Sequence, residues 1–469
     1  MFNRAIKLLL IGLILFTPIA FGSMELWAFS LMELGILLIM ILWAIQTGIV
    51  RFSASEEPVH SALGTRHSPL PMILFALFLL LILFQLLPLP SGILKILSPK
   101  TFAIRSALSL EPSASSFPLS FFPLLTQIEF FKWLTLAGLF LFLMSWRPLE
   151  QSDRTQKQLL VAVMTAGVLE SLYGMFEFFS GHRHILHVAA ENLVSAATGT
   201  FLNRNYFAGY LLMVIPLSMG FLFSREANRA GRSMGWRHWI SSLDGKTLLI
   251  GFGVMVMILG LLFSASRMGI LSLLLAFTLI SLFFRSPRGK RSFSRGSILI
   301  LGLAVLWAAW IGLDAVISRF FTASEGLEGR WVFWVNTFQI FKDFPIFGSG
   351  LGTYLQIFPM YRSFHTQGFV SHAENDFLQL ASEVGVIGFG LLSVLFFYHF
   401  MKALSGIRSL SDHEPGRFLA IGGLVGILAL MFHSLVERNI QVPSNAFLYT
   451  FIFALVLRVA PVRRETQQT

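Results

Sequence analysis

Long apolar runs separated by short polar breaks dominate the chain, and several reach or pass the roughly 18–20 residues that cross a bilayer core. The pattern predicts helices near 5–22, 24–46, 70–90, 129–146, 158–180, 205–224, 247–264, 267–284, 296–317, 384–403, 418–437 and 443–460. The first two are joined by a very tight turn, and the fourth carries Glu129 and Lys132 in its first turn. Three polar segments interrupt the series: residues 91–128, rich in Ser and Pro; residues 181–204, with His182, Arg183, His184 and His187; and residues 318–383. The last is too long for a simple connector, and loops of that length are usually functional. It contains an amphipathic stretch, Trp331 to Phe341, suited to lie along a membrane surface. The expected fold is an all-α polytopic membrane protein with about 12 transmembrane helices and one long outer loop. No repeat of 20–50 residues and no inverted repeat of the transporter kind is visible.

Composition agrees with the pattern. Of 469 residues, 55% are hydrophobic and 13% charged, against about 25% charged in an ordinary soluble domain. Mean hydropathy is +0.72. A soluble globular protein, a disordered chain and a collagen-like fibre are excluded. The net charge of +11, from 35 Lys and Arg against 24 Asp and Glu, would suggest nucleic acid in a soluble protein; here basic residues flanking membrane helices on the cytoplasmic side explain it, and no nucleic-acid partner is expected. The segment 285–295 (RSPRGKRSFSR) has five basic residues in eleven, whereas 318–383 has four in sixty-six. That contrast puts both termini in the cytoplasm and the long loop outside. Arg4 and Lys7 before an apolar run imitate a signal peptide, but no small-residue cleavage site follows, so the first run reads as a retained helix. There are no cysteines, which excludes disulfides, iron–sulfur clusters and thiolate zinc sites.

Candidate chemistry gathers where the bilayer would begin. Ser264-Ala265-Ser266-Arg267-Met268-Gly269 leaves almost no connection between two helices, so Arg267 falls at the outer boundary, against the orientation bias. Snorkelling to lipid headgroups is the bland account; a guanidinium facing a polar cavity is the functional one, because its fork geometry matches phosphate oxygens. Arg330, in Gly329-Arg330-Trp331-Val332-Phe333-Trp334, directly precedes the amphipathic stretch, and as a lone loop arginine its common fate is a solvated charge. Phe344 to Tyr354 (FPIFGSGLGTY) is glycine-rich but lacks the lysine of a P-loop. His372 stands at or before the start of a helix that re-enters the bilayer after Phe377, with Glu374 and Asp376 suited to that end of the dipole. A histidine near its ordinary pKa can take a proton from a sugar hydroxyl; the alternative is a surface histidine, and His365 is a nearby competitor. Glu33, Glu170, Glu177 and Asp314 lie within or near spans, where pairing with a neighbouring helix accounts for them as well as function does. His433 and Glu437, an i,i+4 pair followed by Arg438, would close the cavity from the opposite side.

At these residues the chain resembles the bacterial O-antigen ligase and O-antigen polymerase superfamily. Three stretches carry the resemblance: Gly199-Thr200-Phe201-Leu202-Asn203-Arg204-Asn205-Tyr206-Phe207-Ala208-Gly209; Ser264 to Gly269; and Arg330 through the Pro/Gly-rich turn to His372, Asn375, Leu378, Glu383, Gly385 and Gly388. It divides the chain into N-terminal helices (1–195, about five by span length), a catalytic region (196–440, including loop 318–383), and a last helix with a cytoplasmic tail (441–469). The resemblance implies a GT-C type glycosyltransferase of the bacterial inner membrane, acting in lipopolysaccharide or other cell-surface polysaccharide biosynthesis. It would move a glycan from undecaprenyl diphosphate to a hydroxyl at the outer face: on lipid A-core for a ligase, on another repeat unit for a polymerase, on a protein for an O-oligosaccharyltransferase. The family's catalytic arginines fall on Arg267 and Arg330 and its histidine on His372. In many members Asn directly follows the histidine; here Ala373 and Glu374 intervene before Asn375. Asn203, Arg204 and Asn205 are assigned to the donor sugar, and Asn375, Glu383 and His433 to supporting roles. No Asp-x-Asp motif lies on the outer side, and the acidic cluster Asp412-His413-Glu414 falls inside. Two arginines would replace a metal, giving a metal-independent, inverting, cofactor-free reaction. Membrane lipids, a chain-length regulator and a flippase are the expected partners. The competing classes are a flippase or transporter for the same lipid-linked glycan and a non-catalytic assembly subunit.

Overall fold

The structure, a computed structural model, describes residues 2–53, 69–108, 116–181, 184–189, 196–227, 244–283, 323–365 and 368–461. The helices are α1 (Phe2–Ile19), α2 (Leu26–Ser53), α3 (Leu70–Leu86), α4 (Ser91–Leu97), α5 (Pro99–Leu108), α6 (Pro123–Ser145), α7 (Arg147–Gln151), α8 (Asp153–Ser180), α9 (Arg204–Ala227), α10 (Gly245–Phe263), α11 (Arg267–Phe283), α12 (Ala323–Asp343), α13 (Tyr354–Ile357), α14 (Asp376–Ser409), α15 (Pro415–His433) and α16 (Pro443–Val459). Two antiparallel strand pairs, Pro88–Pro90 with Ser116–Pro118 and His184–Ile185 with Val188–Ala189, brace the loops. Among the described residues eight helices are long and apolar enough to cross a membrane, and α3, α11 and α16 are shorter apolar helices. The chain is an all-α polytopic membrane protein. Eleven of the twelve expected spans coincide with these helices; the ninth, 296–317, and Asp314 lie outside the described residues.

Several boundaries move; the tenth span is the longest departure, running from Asp376 to Ser409, and two other shifts bear on the site. The fourth span starts at Pro123, so Glu129 and Lys132 sit two turns inside α6, where they pair with each other at 2.5 Å. An ion pair lowers the penalty of placing either charge in an apolar helix. The eleventh span stops at His433. Glu437 therefore belongs to a turn beyond the helix, and the expected i,i+4 geometry with His433 is replaced by a chain reversal into α16.

One buried apolar cluster runs from Ile6 to Ala460 and draws side chains from α1, α2, α6, α8, α9, α10, α11, α14, α15 and α16. Its centre is α9, almost wholly enclosed. Helix α15 can approach it only because glycines face each other: a Cβ on Gly422 would stand 2.4 Å from the Pro216 carbonyl, and one on Gly220 2.5 Å from that of Phe418. Small residues permitting backbone contact are how helices pack without a solvent-driven hydrophobic term.

The two ends of the bundle differ in their polar ties. At one end Trp146 donates to Asn3, Lys7 to Gln158, and Arg458 pairs with Glu150 at 2.8 Å. At the other, Thr200 donates to the Pro18 carbonyl at 2.8 Å and Phe201 packs over Gly22. A second apolar cluster, of Ile104, Ile340, Phe344, Tyr354, Ile357, Phe358 and Ala373, forms a cap on this second end. The stretch Trp331–Phe341 is helical as expected; it lies within α12 and turns Asn336, Thr337 and Ile340 inward against the cap.

Candidate functional site

Four chain segments converge at the capped end. The first is the approach to α9. Glu170 of α8 is fully buried, accepts from the Thr200 amide (2.8 Å) and stands 2.9 Å from the Thr200 hydroxyl, which it shares with the Pro18 carbonyl. This carboxylate fixes the turn 196–203, a stability role of the kind weighed for it from the sequence. Asn203 then accepts from the Asn205 amide at 2.8 Å and starts α9, which leaves Asn205 buried at the site and Arg204 half-buried.

The second segment is the start of α11. Ser264 and Ser266 cap it, with the Ser266 hydroxyl facing the Gly269 amide at 3.3 Å. Ala265, just before, has φ of 48°, a left-handed conformation that is strained for an alanine. Half-buried Arg267 follows as the first helical residue. The third segment is the turn from α15 to α16. His433 is fully buried: Asn439 donates to its Nδ1 at 3.2 Å, so Nε2 carries the proton toward Ser266, 3.4 Å away. His433 thus ties the Arg267 segment to the turn holding Glu437 and Arg438.

The fourth segment is His372 to Asp376. Asp376 accepts from the Asn439 and Ile440 amides, each at 2.7 Å, while its own amide donates to the Ser434 carbonyl at 3.0 Å. These bonds lock the segment against the α15–α16 turn. Buried Ala373 plugs into the cap, and its amide donates to Gln379 at 3.1 Å. Asn375 caps α14, accepting from the Leu378 amide at 3.0 Å. Glu374, between them, has φ of 51°. Ala265 and Glu374 are two of the five non-glycine residues with positive φ among the described residues, and the surrounding bonds hold both.

Within this frame Arg330 of α12 is ion-paired with the buried carboxylate of Glu437. Glu374 and Asn205 also face Glu437. Burial pushes the Glu437 carboxyl up; Arg330 opposes the shift and the neighbouring Glu374 adds to it. Arg438 donates to Nε2 of His372. The imidazole is pushed down to about 2, by burial first and then by the charges of Arg438 and Lys132. The sequence leads to expect a near-neutral histidine with an available lone pair; the structure shows a neutral ring whose accepting nitrogen is occupied. His365, the competitor, is exposed.

The placement of the residues singled out by sequence is thus uneven. Arg330, His372, Asn205 and His433 meet in one cluster, and Arg267 adjoins it through Ser266. Asn375 acts as a helix cap. Glu383 lies apart, beneath the cap, where it accepts from the Tyr354 amide at 3.1 Å and faces Gln379 at 3.4 Å. Three participants escape sequence reasoning: Glu374 as a neighbour of Glu437, Tyr206 beside Arg438, and Arg438 as the partner of His372. Only the run His433-to-Arg438 hinted at the last. Among the described residues no group of three or more His, Asp or Glu side chains is arranged to hold a metal ion.

A many-helix membrane protein with arginines, carboxylates and a histidine collected at one end of its bundle is the class that fold and site define. Residues 252–393 match the family model for O-antigen ligase. The matched stretch includes Arg267, Arg330 and His372; it leaves out Asn203 to Asn205, His433, Glu437 and Arg438. No curated protein matches the chain.

Proposed function

We propose that this protein is a glycosyltransferase of the bacterial inner membrane, transferring a glycan from undecaprenyl diphosphate to a hydroxyl acceptor at the outer face, as an O-antigen ligase or polymerase. The observation that carries the reading is the meeting of Arg330 and His372 around the α15–α16 turn, with the Arg267 segment tied to it through His433. It is supported by the family match over the segment that supplies both arginines and the histidine.

In this reading Arg267 and Arg330 neutralise the charge that builds on the departing diphosphate. Guanidinium groups suit that role because they stay charged and grip two oxygens at once. Arg330 meanwhile balances Glu437, so donor binding exchanges a carboxylate partner for a phosphate one. His372 takes the proton of the acceptor hydroxyl as its oxygen attacks the anomeric carbon. The anomeric C–O bond to the diphosphate breaks, its electron pair leaves with the diphosphate, and one displacement inverts the centre. Asn205, beside Glu437, is positioned for the donor sugar, with Asn203 and Arg204 shaping that wall. The reaction runs without a metal or other cofactor.

The test is transfer in membranes supplied with lipid-linked donor and acceptor. Arg267→Ala and Arg330→Ala each lower transfer by about 10²–10³ while protein levels hold, and wild-type activity persists in EDTA. Full activity in either variant, or strict dependence on magnesium, overturns the mechanism. In a deletion strain, loss of all polymer on the core marks a ligase and a single capped repeat marks a polymerase.

A further inference from the structure

Arg438 lies outside the family match, and among the described residues it forms no ion pair with a carboxylate. Its guanidinium instead reaches Nε2 of His372, with Tyr206 of α9 alongside. Neither partner is well satisfied by this contact. Nε of Arg438 and Nδ1 of His372 are both buried without a hydrogen-bond partner. Because Nε2 accepts, the proton resides on Nδ1, so that orphan is a donor with nothing to donate to. A buried hydrogen bond left unmade is costly, and more so for a charged group. An arginine parked on an imidazole, with one of its own N–H groups idle, is poised to exchange partners.

The charges around the pair set which way it moves. Arg438, from the α15–α16 turn, and Lys132, from α6, act on His372. Asp376 on the His372 segment and Tyr206 on α9 act on Arg438. Glu374, one residue before Asn375, acts on Glu437 and Tyr206. Arg330, the next cation, is already held by Glu437. Among the described residues Arg438 has no carboxylate in ion-pair contact, and an incoming polyanion offers it a stronger partner than a neutral ring.

We infer that Arg438 is a further diphosphate-binding residue that rests on His372 until the donor arrives, so that donor binding draws it onto the diphosphate and uncovers Nε2 to accept the acceptor's proton. The inference rests on the glycosyltransferase reading and deepens it by giving the site an order: donor first, base second. With the donor absent the base is covered, which protects the site from activating a hydroxyl that has no glycan to receive. Once Arg438 pairs with phosphate its charge is compensated, one of the influences depressing His372 is removed, and the imidazole becomes a better base. Arg438 acts on the reaction both by holding the leaving group and by positioning the proton acceptor.

The experiment reads the contact without turnover. The full-length protein in lipid nanodiscs is treated with diethyl pyrocarbonate, which attacks an imidazole nitrogen with a free lone pair, and modification of His372 is followed by peptide mass spectrometry. Inorganic pyrophosphate is the probe. In the wild type His372 reacts slowly, and pyrophosphate speeds it about tenfold, the factor expected for releasing a hydrogen bond to a charged donor. Arg438→Ala reacts at the fast rate without pyrophosphate and gains nothing from it, whereas Arg438→Lys stays slow and pyrophosphate-responsive. Buried His433 stays unmodified throughout and reports that the turn is intact. Equal rates in wild type and Arg438→Ala, or pyrophosphate that leaves wild-type His372 unchanged or protects it, overturn the inference. Should Arg438→Ala fail to fold, the wild-type pyrophosphate arm alone decides. A positive result alongside absent glycan transfer upholds the coupling of anion and imidazole while removing the assigned reaction, so the two readings fail separately.

Discussion

Two polar regions lie close together at the capped end, and they treat their buried groups in opposite ways. Beneath the cap, Gln85 of α3 donates to the Phe347 carbonyl (2.6 Å) and the Glu383 carbonyl (2.9 Å) and accepts from the Leu351 amide (3.1 Å). Gly385, with φ of 64°, breaks α14 so that its backbone meets Ile346, where a Cβ would stand 2.2 Å from the carbonyl oxygen. Here Gln85, Gln379 and Glu383 have no buried side-chain atom left unpaired. Around the α15–α16 turn the reverse holds: His372, Glu374, Asp376, Glu437, Arg438 and Asn439 each keep one buried polar atom without a partner. Buried polar groups in native proteins are nearly always paired, and each exception calls for an explanation. The first region is a clasp that spends its polar groups on holding α3, α14 and the cap together. The second holds its polar groups in reserve, which is what a site for a charged ligand requires.

The contrast can be broken at either side. The largest effect belongs to the clasp. Gln85→Leu leaves the Phe347 carbonyl and the Leu351 amide buried without a partner, while the Glu383 carbonyl keeps its bond from the Gly350 amide, a loss of about 2–4 kcal/mol; the expected result is a sharp drop in the yield of monodisperse protein extracted in detergent. A variant of normal yield and melting temperature would dissolve the distinction. Next, Arg330→Ala lowers transfer by about 10²–10³, the usual cost of deleting one group that stabilises transition-state charge, measured per folded molecule, because Glu437 loses its buried partner and some stability goes with it. Comparable losses of fold and activity would make Arg330 another structural tie.

Two smaller effects sharpen the boundary. Asn375→Ala costs about 1 kcal/mol of stability through the lost cap, and transfer measured on the remaining folded protein stays near wild type; a large specific loss of transfer would return Asn375 to the site. For His372, the folded pKa lies below the unfolded one. The unfolded chain therefore binds the extra proton as pH falls below about 6.5, and the stability due to the neutral ring is lost in that direction. Wild-type melting temperature should fall between pH 7.5 and 5.5 more steeply than that of His372→Gln. Parallel curves would show that burial and Arg438 do not hold the ring neutral.

How far the sequence reveals all this depends on the physical signal. Apolar run length is a local property, and it located every described span, but it misses helical turns that carry polar residues: Glu129 and Lys132 inside α6, and Asp376 to Glu383 at the start of α14. The absent connection at Ser264–Arg267 is likewise local and was legible. Arg330 and His372 were legible because aromatic and helix-start patterns surround them. What distance along the chain conceals is pairing. Glu437 lies 107 residues from Arg330, and Arg438 lies 66 from His372; nothing in either neighbourhood announces the other. Glu383 and Asn375 show the converse failure. Both stand in a patterned stretch that draws attention to them, yet one closes a clasp and the other caps a helix.

The single apolar core has a practical corollary for building chimaeras. The family-matched stretch carries Arg267, Arg330 and His372, but the helix they lean on and the turn that carries Glu437 and Arg438 come from outside it. Grafting 252–393 alone into a relative would install three conspicuous residues on a foreign floor, with mismatched partners for each. An exchange meant to carry acceptor or donor preference should instead transplant 196–442 as one block, with seams in the approach to α9 and just before α16.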